Sequence, residues 1–99
     1  MTSAKVAVVV VTHNRAVLLR EAIDAILAQS FHDVVVVDNC STDETPELLA
    51  AYDDPRLHVV RADHNGGGAG GFHIGCGIAA DLDVDWVVPV SYTHLRAHE

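Results

Sequence analysis

Basic side chains are scarce in this 99-residue sequence, and their scarcity argues against one broad class of partner. Six Lys and Arg residues stand against 14 Asp and Glu residues, which gives a formal net charge of −8. A protein that binds a nucleic-acid backbone needs clustered Lys and Arg to neutralise the phosphates. We therefore expect no nucleic-acid partner, although backbone N–H groups or a few basic side chains can still bind a small anion.

Long apolar runs and paired cysteines are also lacking. No run approaches the roughly 20 apolar residues of a transmembrane helix, so we expect a cytoplasmic protein, with any membrane association made through parts outside this chain. Cys40 and Cys76 lie far apart without C-x-x-C spacing, which argues against a zinc site or a disulfide framework and predicts two buried, reduced thiols. At 49% hydrophobic residues, the chain can form the core of one small domain or of part of a larger one.

The first apolar run covers residues 6–11 and ends abruptly in four polar residues, Thr12, His13, Asn14 and Arg15. A run without alternation is typical of a strand buried on both faces, as in a parallel sheet covered by helices. In such sheets ligands bind at the carboxyl ends of the strands, where these four side chains would lie. The plainer alternative is a polar turn that caps the next helix.

After residue 15 the apolar period becomes helical, and a second continuous apolar run over residues 34–37 then ends at Asp38 and Asn39. Asn14 or Thr12 is a plausible N-cap for the intervening helix. Strand, helix and strand at this spacing form a βαβ unit, whose strands are parallel. Asp38 is therefore expected at the same sheet edge as Thr12. The helical stripe consists of Leu19, Ala22, Ile23, Ile26 and Leu27.

The remaining elements alternate in the same way, and together they predict an open, mostly parallel α/β sheet with flanking helices, which is incomplete. The second helix begins either at a capping box in residues 41–44 or at Thr45 with Pro46 in its first turn. We further predict a strand over 57–60, a glycine-rich loop over 65–71, a helix over about 72–80 and a strand that begins at 86–88.

The end of the chain does not fit this pattern. Pro89 falls inside the fourth strand, where its missing N–H would interrupt a central ladder. Residues 89–99 resemble a translated adaptor sequence, and we interpret them as an artefactual or disordered tail after a domain of residues 1–88. His94 and His98 have the i, i+4 spacing of a zinc pair, but without a third ligand or an intervening Glu the spacing does not indicate a metal site.

Three groups of residues are predicted to meet at one sheet edge: residues 12–15, residues 38–41 and the glycine-rich stretch that begins at Asn65. A carboxylate such as Asp38 can accept hydrogen bonds from ribose hydroxyls or a base N–H. Arg15, near a helix start, could pair with phosphate. The alternative is that Asp38 and its neighbours only cap a helix, but capping does not explain why two neighbouring strands end in polar groups.

These motifs resemble glycosyltransferase family 2. The resemblance lies in Val-Thr-His-Asn-Arg at residues 11–15, in Val-Val-Asp-Asn-Cys-Ser-Thr-Asp at residues 36–43 and in the glycines that follow Asn65, up to Gly75. The third motif is similar to that of galactofuranosyl- and rhamnosyltransferase-like members. The resemblance covers about residues 5–88.

The resemblance implies the nucleotide-sugar-binding half of a GT-A fold. The full-length enzyme would transfer a sugar from a UDP- or dTDP-linked donor to the hydroxyl of an acceptor glycan or lipid-linked glycan. Mg²⁺ or Mn²⁺ would neutralise the leaving diphosphate, and Asp38 would hold the base. The residues that the resemblance assigns to the nucleotide-sugar site are Thr12, His13, Asn14, Arg15, Asp38, Asn39, Ser41, Asn65, Gly67 and Gly68.

The sequence also departs from the family pattern. Residues 89–91 stand where the family places its D-x-D metal motif, so no metal ligand is expected in this chain. Asp81, Asp83 and Asp85 imitate that motif but precede the fourth strand, which would place them at the opposite sheet edge. No candidate for the catalytic base is found. We therefore expect this chain alone to be inactive.

Two other functional classes remain open at this point. Gly66-x-Gly68-x-x-Gly71 matches a dinucleotide-binding motif, follows a strand and opens a helix. A Rossmann oxidoreductase, however, carries this motif after its first strand, with an acidic residue about 20 positions further on. A non-catalytic α/β binding module is the other class, but it gives no reason for polar clusters at two strand ends.

Overall fold

The computed structural model describes residues 4–63 and 66–92. Within them the elements follow the predicted order of strands and helices. The strands are β1 (Val6–Thr12), β2 (Asp33–Asp38), β3 (Leu57–Arg61) and β4 (Trp86–Tyr92), and the helices are α1 (Ala16–Leu27), α2 (Thr45–Ala50) and α3 (Gly67–Asp81).

The described strands form one parallel sheet in the order β3-β2-β1-β4. The two apolar runs are therefore the central strands, and their valines are buried on both sides. One face packs against α1 and α2 through Leu19, Ile23 and Leu49. The other face packs against α3, with Ala79 in its core. The predicted parallel α/β sheet is confirmed, and no helix in the described part of the chain is long and apolar enough to cross a bilayer.

The glycine-rich stretch is not the predicted loop, because α3 already begins at Gly67. Tight packing explains this helix better than local propensity does. A Cβ added at Gly71 would lie 2.4 Å from Val11 Cγ1, and one added at Gly75 would lie 2.3 Å from Val9 Cγ1. Real side chains do not approach this closely, so glycine at these two positions lets α3 lie directly on the sheet.

The expected break at Pro89 is also wrong, since β4 continues through it to Tyr92. Pro89 pairs in register with Val9, and β4 has a neighbour only on the β1 side of the described sheet. An edge strand tolerates proline because the nitrogens on its outer side have no ladder partner. Residues 93–99, including His94 and His98, lie outside the described residues, and the proposed domain boundary after residue 88 stays a prediction.

The prediction of two buried thiols is wrong as well, because Cys76 is exposed and Cys40 is only half-buried. Cys40 lies in the loop after β2 and adopts a φ of 59°. Cys76 lies on α3, between Gly75 and Gly77, on the side of the helix that faces solvent.

Arg56 closes the carboxyl end of α1, a role that its sequence position did not predict. Its guanidinium donates to the carbonyl oxygens of Leu27 at 2.6 Å and of Gln29 at 2.8 Å. These bonds satisfy carbonyl groups at a helix end that has no basic residue in its own last turn. Hydrogen bonds with Arg56 also lower the pKa of Asp54 below its ordinary value.

Candidate nucleotide site

The carboxyl ends of three neighbouring strands meet at one edge of the sheet. Thr12 pairs in register with Asp38, and Asp38 pairs with Arg61 at the end of β3. The predicted juxtaposition of Thr12 and Asp38 is therefore confirmed. Arg61 joins them because β3 extends one residue beyond its predicted end, so that a cation stands beside the carboxylate.

Asp38 is buried, with 2% of its surface exposed, and both of its carboxylate oxygens accept hydrogen bonds. Ser41 N–H donates to Oδ1 at 3.0 Å, and Arg61 Nη1 donates to Oδ2 at 2.9 Å. The same guanidinium donates through Nη2 to the Ser41 carbonyl oxygen at 2.8 Å. A buried carboxylate needs this kind of pairing, because an unpaired charge would be costly away from water.

Asn14 ties the loop after β1 to the loop after β2. Its side-chain Oδ1 accepts hydrogen bonds from the backbone N–H groups of Thr42 at 2.8 Å and Asp43 at 3.2 Å. Its own N–H donates to Ser41 Oγ at 3.0 Å. Its φ of 51° is left-handed, a conformation that asparagine tolerates better than most residues. Asn14 is thus not the N-cap of α1, and neither is Thr12, because Arg15 occupies that position without a side-chain cap bond.

The ring of His13 is oriented by its two neighbours. Nδ1 lies 2.6 Å from the Asn39 carbonyl oxygen. Because a carbonyl oxygen only accepts hydrogen bonds, Nδ1 must carry the proton of this contact. In a neutral ring Nε2 is then an acceptor, and Asn14 Nδ2 lies 3.3 Å from it. His13 therefore links the loop after β1 to the loop after β2 through the Asn39 carbonyl oxygen, and its other ring nitrogen faces the side-chain amide of Asn14.

Asp43 connects the starts of two helices at this edge. Burial alone would raise the pKa of its carboxyl group, but hydrogen bonds from Thr45 and from the backbone N–H of Ala16 outweigh that effect and hold the pKa below its ordinary value. Thr45 N–H donates to Asp43 Oδ1 at 2.9 Å. The negative charge thus faces the amino ends of α1 and α2, where helix dipoles favour an anion. Of the two predicted starts of α2, the capping box over residues 41–44 is wrong, and the start at Thr45 with Pro46 in the first turn is confirmed, with Glu44 at the N-cap.

Asn39 carries a buried acceptor, its side-chain Oδ1, that no described residue pairs. The residue is 1% exposed, and its Nδ2 donates to the Gly67 carbonyl oxygen at 2.8 Å. That bond fixes the amide so that Oδ1 points elsewhere, and Oδ1 has no hydrogen-bond partner among the described residues. Buried polar atoms are nearly always hydrogen-bonded, so an unpaired one suggests a ligand or a water. Asn39 also lines a cleft of about 280 Å³ beside the start of α3, together with Asp63, Gly66 and His73.

A model of the family "Glycosyl transferase family 2" matches residues 7–88. This match spans β1 to the first residues of β4 and therefore includes the carboxyl ends of β1, β2 and β3. The chain belongs to glycosyltransferase family 2. The match also removes the basis for a Rossmann oxidoreductase, because the glycines of that motif are part of the glycosyltransferase domain.

Curated relatives of this family 2 chain come from several bacteria. It is 44% identical over 73 residues to the succinoglycan biosynthesis protein ExoO of Rhizobium meliloti, covering 72% of this chain and 21% of that protein. It is 37% identical over 84 residues to the galactofuranosyltransferase GlfT1 of Mycolicibacterium smegmatis, covering 83% and 28%. For the putative teichuronic acid biosynthesis glycosyltransferase TuaG of Bacillus subtilis the identity is 36% over 75 residues, covering 70% and 30%.

The family 2 chain thus spans less than a third of the length of each of these relatives. No solved structure matches it. The relatives consequently establish the family and the class of enzyme, while the activity, substrates and partners of the whole protein belong to the proposals below.

Most of the predicted site residues of this family 2 chain come together at the carboxyl edge. Arg15 lies at the start of α1, and its Nη1 donates to the Asn14 carbonyl oxygen at 3.1 Å. Gly67 and Gly68 form the first turn of α3. Asn65 lies outside the described residues. The other predicted residues, Thr12, His13, Asn14, Asp38, Asn39 and Ser41, are linked through the strand register and the hydrogen bonds described above.

Arg61 and Asp43 belong to the same network, but their role was not recognised in the sequence. The length of β3 was the signal for Arg61, because one further residue of strand places it in register with Asp38. Asp43 lay within the motif resemblance, yet nothing in the sequence showed that it would serve two helices. Both residues act through contacts between loops that are distant in sequence.

The described residues contain no group of three or more His, Cys, Asp or Glu side chains placed to hold a metal ion. Asp85 lies at the amino edge of the sheet, where its Oδ2 accepts a hydrogen bond from the Lys5 N–H at 2.8 Å. Asp81 ends α3 and Asp83 lies in the connection from α3 to β4, and both are exposed. The structure therefore places the D-x-D-like segment on the side away from Asp38.

Proposed function

We propose that this chain is the nucleotide-sugar-binding part of an enzyme that transfers a sugar from a UDP- or dTDP-linked donor to an acceptor hydroxyl. The observation that carries the proposal is the position of the polar residues relative to the sheet topology. Helices α1 and α2 cover one face and α3 covers the other. All described strands stay parallel, but β2 and β3 are added on one side of β1 and β4 on its other side, so the strand order reverses between β1 and β4. Open α/β sheets bind their ligands at that switch point, and residues 12–15 lie there.

The side-chain oxygen of Asn39, Oδ1, is unpaired among the described residues and suggests how the base is recognised. Uracil and thymine carry a hydrogen on N3, whereas the N3 of cytosine is an acceptor. Because Nδ2 donates to the Gly67 carbonyl oxygen, the amide leaves its oxygen for a ligand. Oδ1 only accepts hydrogen bonds, so it would favour a base with an N3–H. Both oxygens of Asp38 already accept one hydrogen bond each. Because Asn39 Oδ1 accepts none from the described residues, we propose that Asn39 makes the main base contact, which requires its buried Oδ1 to become accessible on binding. Asp38, whose oxygens each keep a second lone pair, holds the loop behind it.

The remaining site residues suit the other parts of the donor. Arg15 stands at the amino end of α1, where its guanidinium would pair with a diphosphate. A divalent cation, Mg²⁺ or Mn²⁺, would neutralise the leaving diphosphate in the full-length enzyme. The described residues do not form a site for it, and the ligands and the catalytic base are proposed to lie outside this chain.

The acceptor is proposed to be a glycan or lipid-linked glycan of a cell wall or extracellular polysaccharide. Support comes from the relatives, whose names refer to succinoglycan, teichuronic acid and galactofuranosyl transfer. Their named sugars differ, so the proposal covers the class of reaction and the nucleotide and leaves the sugar open.

Titration calorimetry with UDP, CDP and NAD tests the nucleotide proposal. We expect UDP to bind more tightly than CDP, and Asn39→Ala to remove most of that preference. An Asn39→Asp variant keeps an acceptor oxygen but loses the Nδ2 donor to the Gly67 carbonyl oxygen. It should bind UDP more weakly than the wild type and yet retain the preference better than the alanine variant. Equal binding of UDP and CDP, or tighter binding of NAD, would contradict the proposal. Sugar transfer by the 99-residue chain alone would contradict the location of the metal site and base outside it.

A further inference from the structure

Arg61 is a cation at the nucleotide edge that none of the recognised motifs contains. It ends β3 in register with Asp38, and 47% of its side chain is exposed. One nitrogen, Nη1, donates to the buried carboxylate, and the other, Nη2, donates to the Ser41 carbonyl oxygen. The guanidinium thus bridges two groups of the loop after β2, in the bidentate manner that distinguishes Arg from Lys.

Ser41 is held at three of its atoms, and each contact belongs to a different part of the chain. Its N–H donates to Asp38, its carbonyl oxygen accepts from Arg61, and its hydroxyl oxygen accepts from the Asn14 N–H. Ser41 therefore connects Arg61 to the left-handed turn at Asn14 by hydrogen bonds. The loops that carry the proposed nucleotide contacts are therefore fixed relative to one another from β3.

We propose that Arg61 is a positioning residue of the nucleotide site. This inference rests on the proposed function. Arg61 acts through Asp38 and Ser41, and it does not bind the diphosphate itself, because each terminal nitrogen already donates a hydrogen bond to the protein and Asp38 balances its charge. Asn39 lies between Asp38 and Ser41 in sequence, so the position of the base contact depends on the two hydrogen bonds that Arg61 donates to them.

The test compares uridine with UDP on the 99-residue chain, at a temperature well below every unfolding transition. A positioning residue affects both ligands alike, whereas a phosphate-binding residue affects only UDP. For Arg61→Gln we expect the Kd values of uridine and UDP to rise together by about tenfold, the effect of one lost charge-assisted hydrogen bond. Arg61→Lys keeps the charge but cannot bridge both groups, so its Kd values should fall between those of the wild type and Arg61→Gln.

Arg56→Gln is the matched control, because Arg56 also donates to several carbonyl oxygens but at the amino edge of the sheet. It should lower stability and leave both Kd values unchanged. Amide hydrogen exchange gives an independent readout, since Arg61→Gln should accelerate exchange at Ser41 and Asn14 and Arg56→Gln should not.

The possible results separate the inference from the function on which it rests. If Arg61→Gln weakens UDP but not uridine, Arg61 binds phosphate and the positioning role is wrong. Unchanged Kd values for both ligands, or unchanged exchange at Ser41, would also overturn it. If the wild-type chain binds neither ligand, the nucleotide proposal fails whatever Arg61 does.

Discussion

Gly75 allows a sharp test of how closely α3 packs on the sheet. A methyl group added there would lie 2.3 Å from Val9 Cγ1 and 3.2 Å from Val37 Cγ2. Val9 cannot easily turn away, because its β-branched side chain is stiff and fully buried in the central strand. The helix or the strand must therefore shift. Overpacking of this kind costs about 1–3 kcal/mol in a well-packed core.

The same substitution at Gly77 provides the control, because a Cβ there meets nothing within 4 Å. Both glycines lie inside α3, so both alanine variants gain the same improvement in helix propensity, about 1 kcal/mol. Gly77→Ala should be more stable than the wild type by about that amount. Subtracting one variant from the other removes the propensity effect and leaves the cost of the overlap, about 1–3 kcal/mol.

Urea unfolding followed by circular dichroism measures this difference, provided that the slope with denaturant is the same for both variants. We expect the midpoint of Gly75→Ala to lie clearly below that of Gly77→Ala. Equal midpoints would mean that α3 does not contact the sheet at Val9, and the explanation given for the glycine-rich helix would fail. A changed slope would instead indicate that the unfolding is no longer a comparable two-state reaction.

Three other predictions concern single side chains. Burial and the hydrogen bond to Asp24 raise the pKa of Tyr52 to about 12, so absorbance titration in a Tyr92→Phe background should show ionisation near 12, and Asp24→Asn should lower it. The associated stability is complete below pH 10 and is lost as the pH rises through about 12. The pKa of Asp43 is lowered below its ordinary value, so the stability that its charge contributes is lost as the pH falls through the folded-state pKa. Asp43→Asn should therefore weaken the dependence of the urea midpoint on pH in the acid range. Asn14→Ala and Asn14→Gly both lose the side-chain hydrogen bonds, but only glycine accepts a φ of 51° without strain. In urea unfolding the alanine variant should therefore be less stable than the glycine variant by about 1 kcal/mol. Equal stability of the two variants would refute the strain argument.

The central strands could be predicted from the sequence because burial on both faces requires an apolar residue at every position. Val8 to Val11 and Val34 to Val37 are buried on both sides of the sheet, so neither face calls for a polar side chain. The βαβ spacing then fixed the strands as parallel. These two inferences together placed Thr12 beside Asp38, which the register confirms.

The start of α3 could not be predicted from local propensity, since glycine is among the poorest helix formers. Packing against the sheet outweighs that preference, because Gly71 and Gly75 allow the helix backbone to approach Val11 and Val9. The spacing of four residues between the two glycines places them on one face of a helix. That spacing was the signal in the sequence for a closely packed helix.

The hydrogen bonds that shape the site could not be predicted from the sequence for another reason. Arg61, Ser41 and Asn14 meet across separations of 20 and 27 positions. Motif resemblance identified Asn14 and Ser41 as site residues but gave no role to Arg61. Pro89 was misjudged in the same way, because whether a proline is tolerated depends on the position of its strand in the sheet, which only the topology decides.

A net charge of −8 does not oppose an anionic ligand at this edge, because the acidic groups here are balanced locally. Asp38 is paired with Arg61, and Asp43 faces the amino ends of α1 and α2. By contrast, Asp54 and Asp85 lie at the amino edge, away from the proposed ligand. All three helices follow parallel strands and begin at the carboxyl edge, so their positive dipole ends collect there. The field that a diphosphate would meet is set by this distribution, and the overall charge is a poor guide to it.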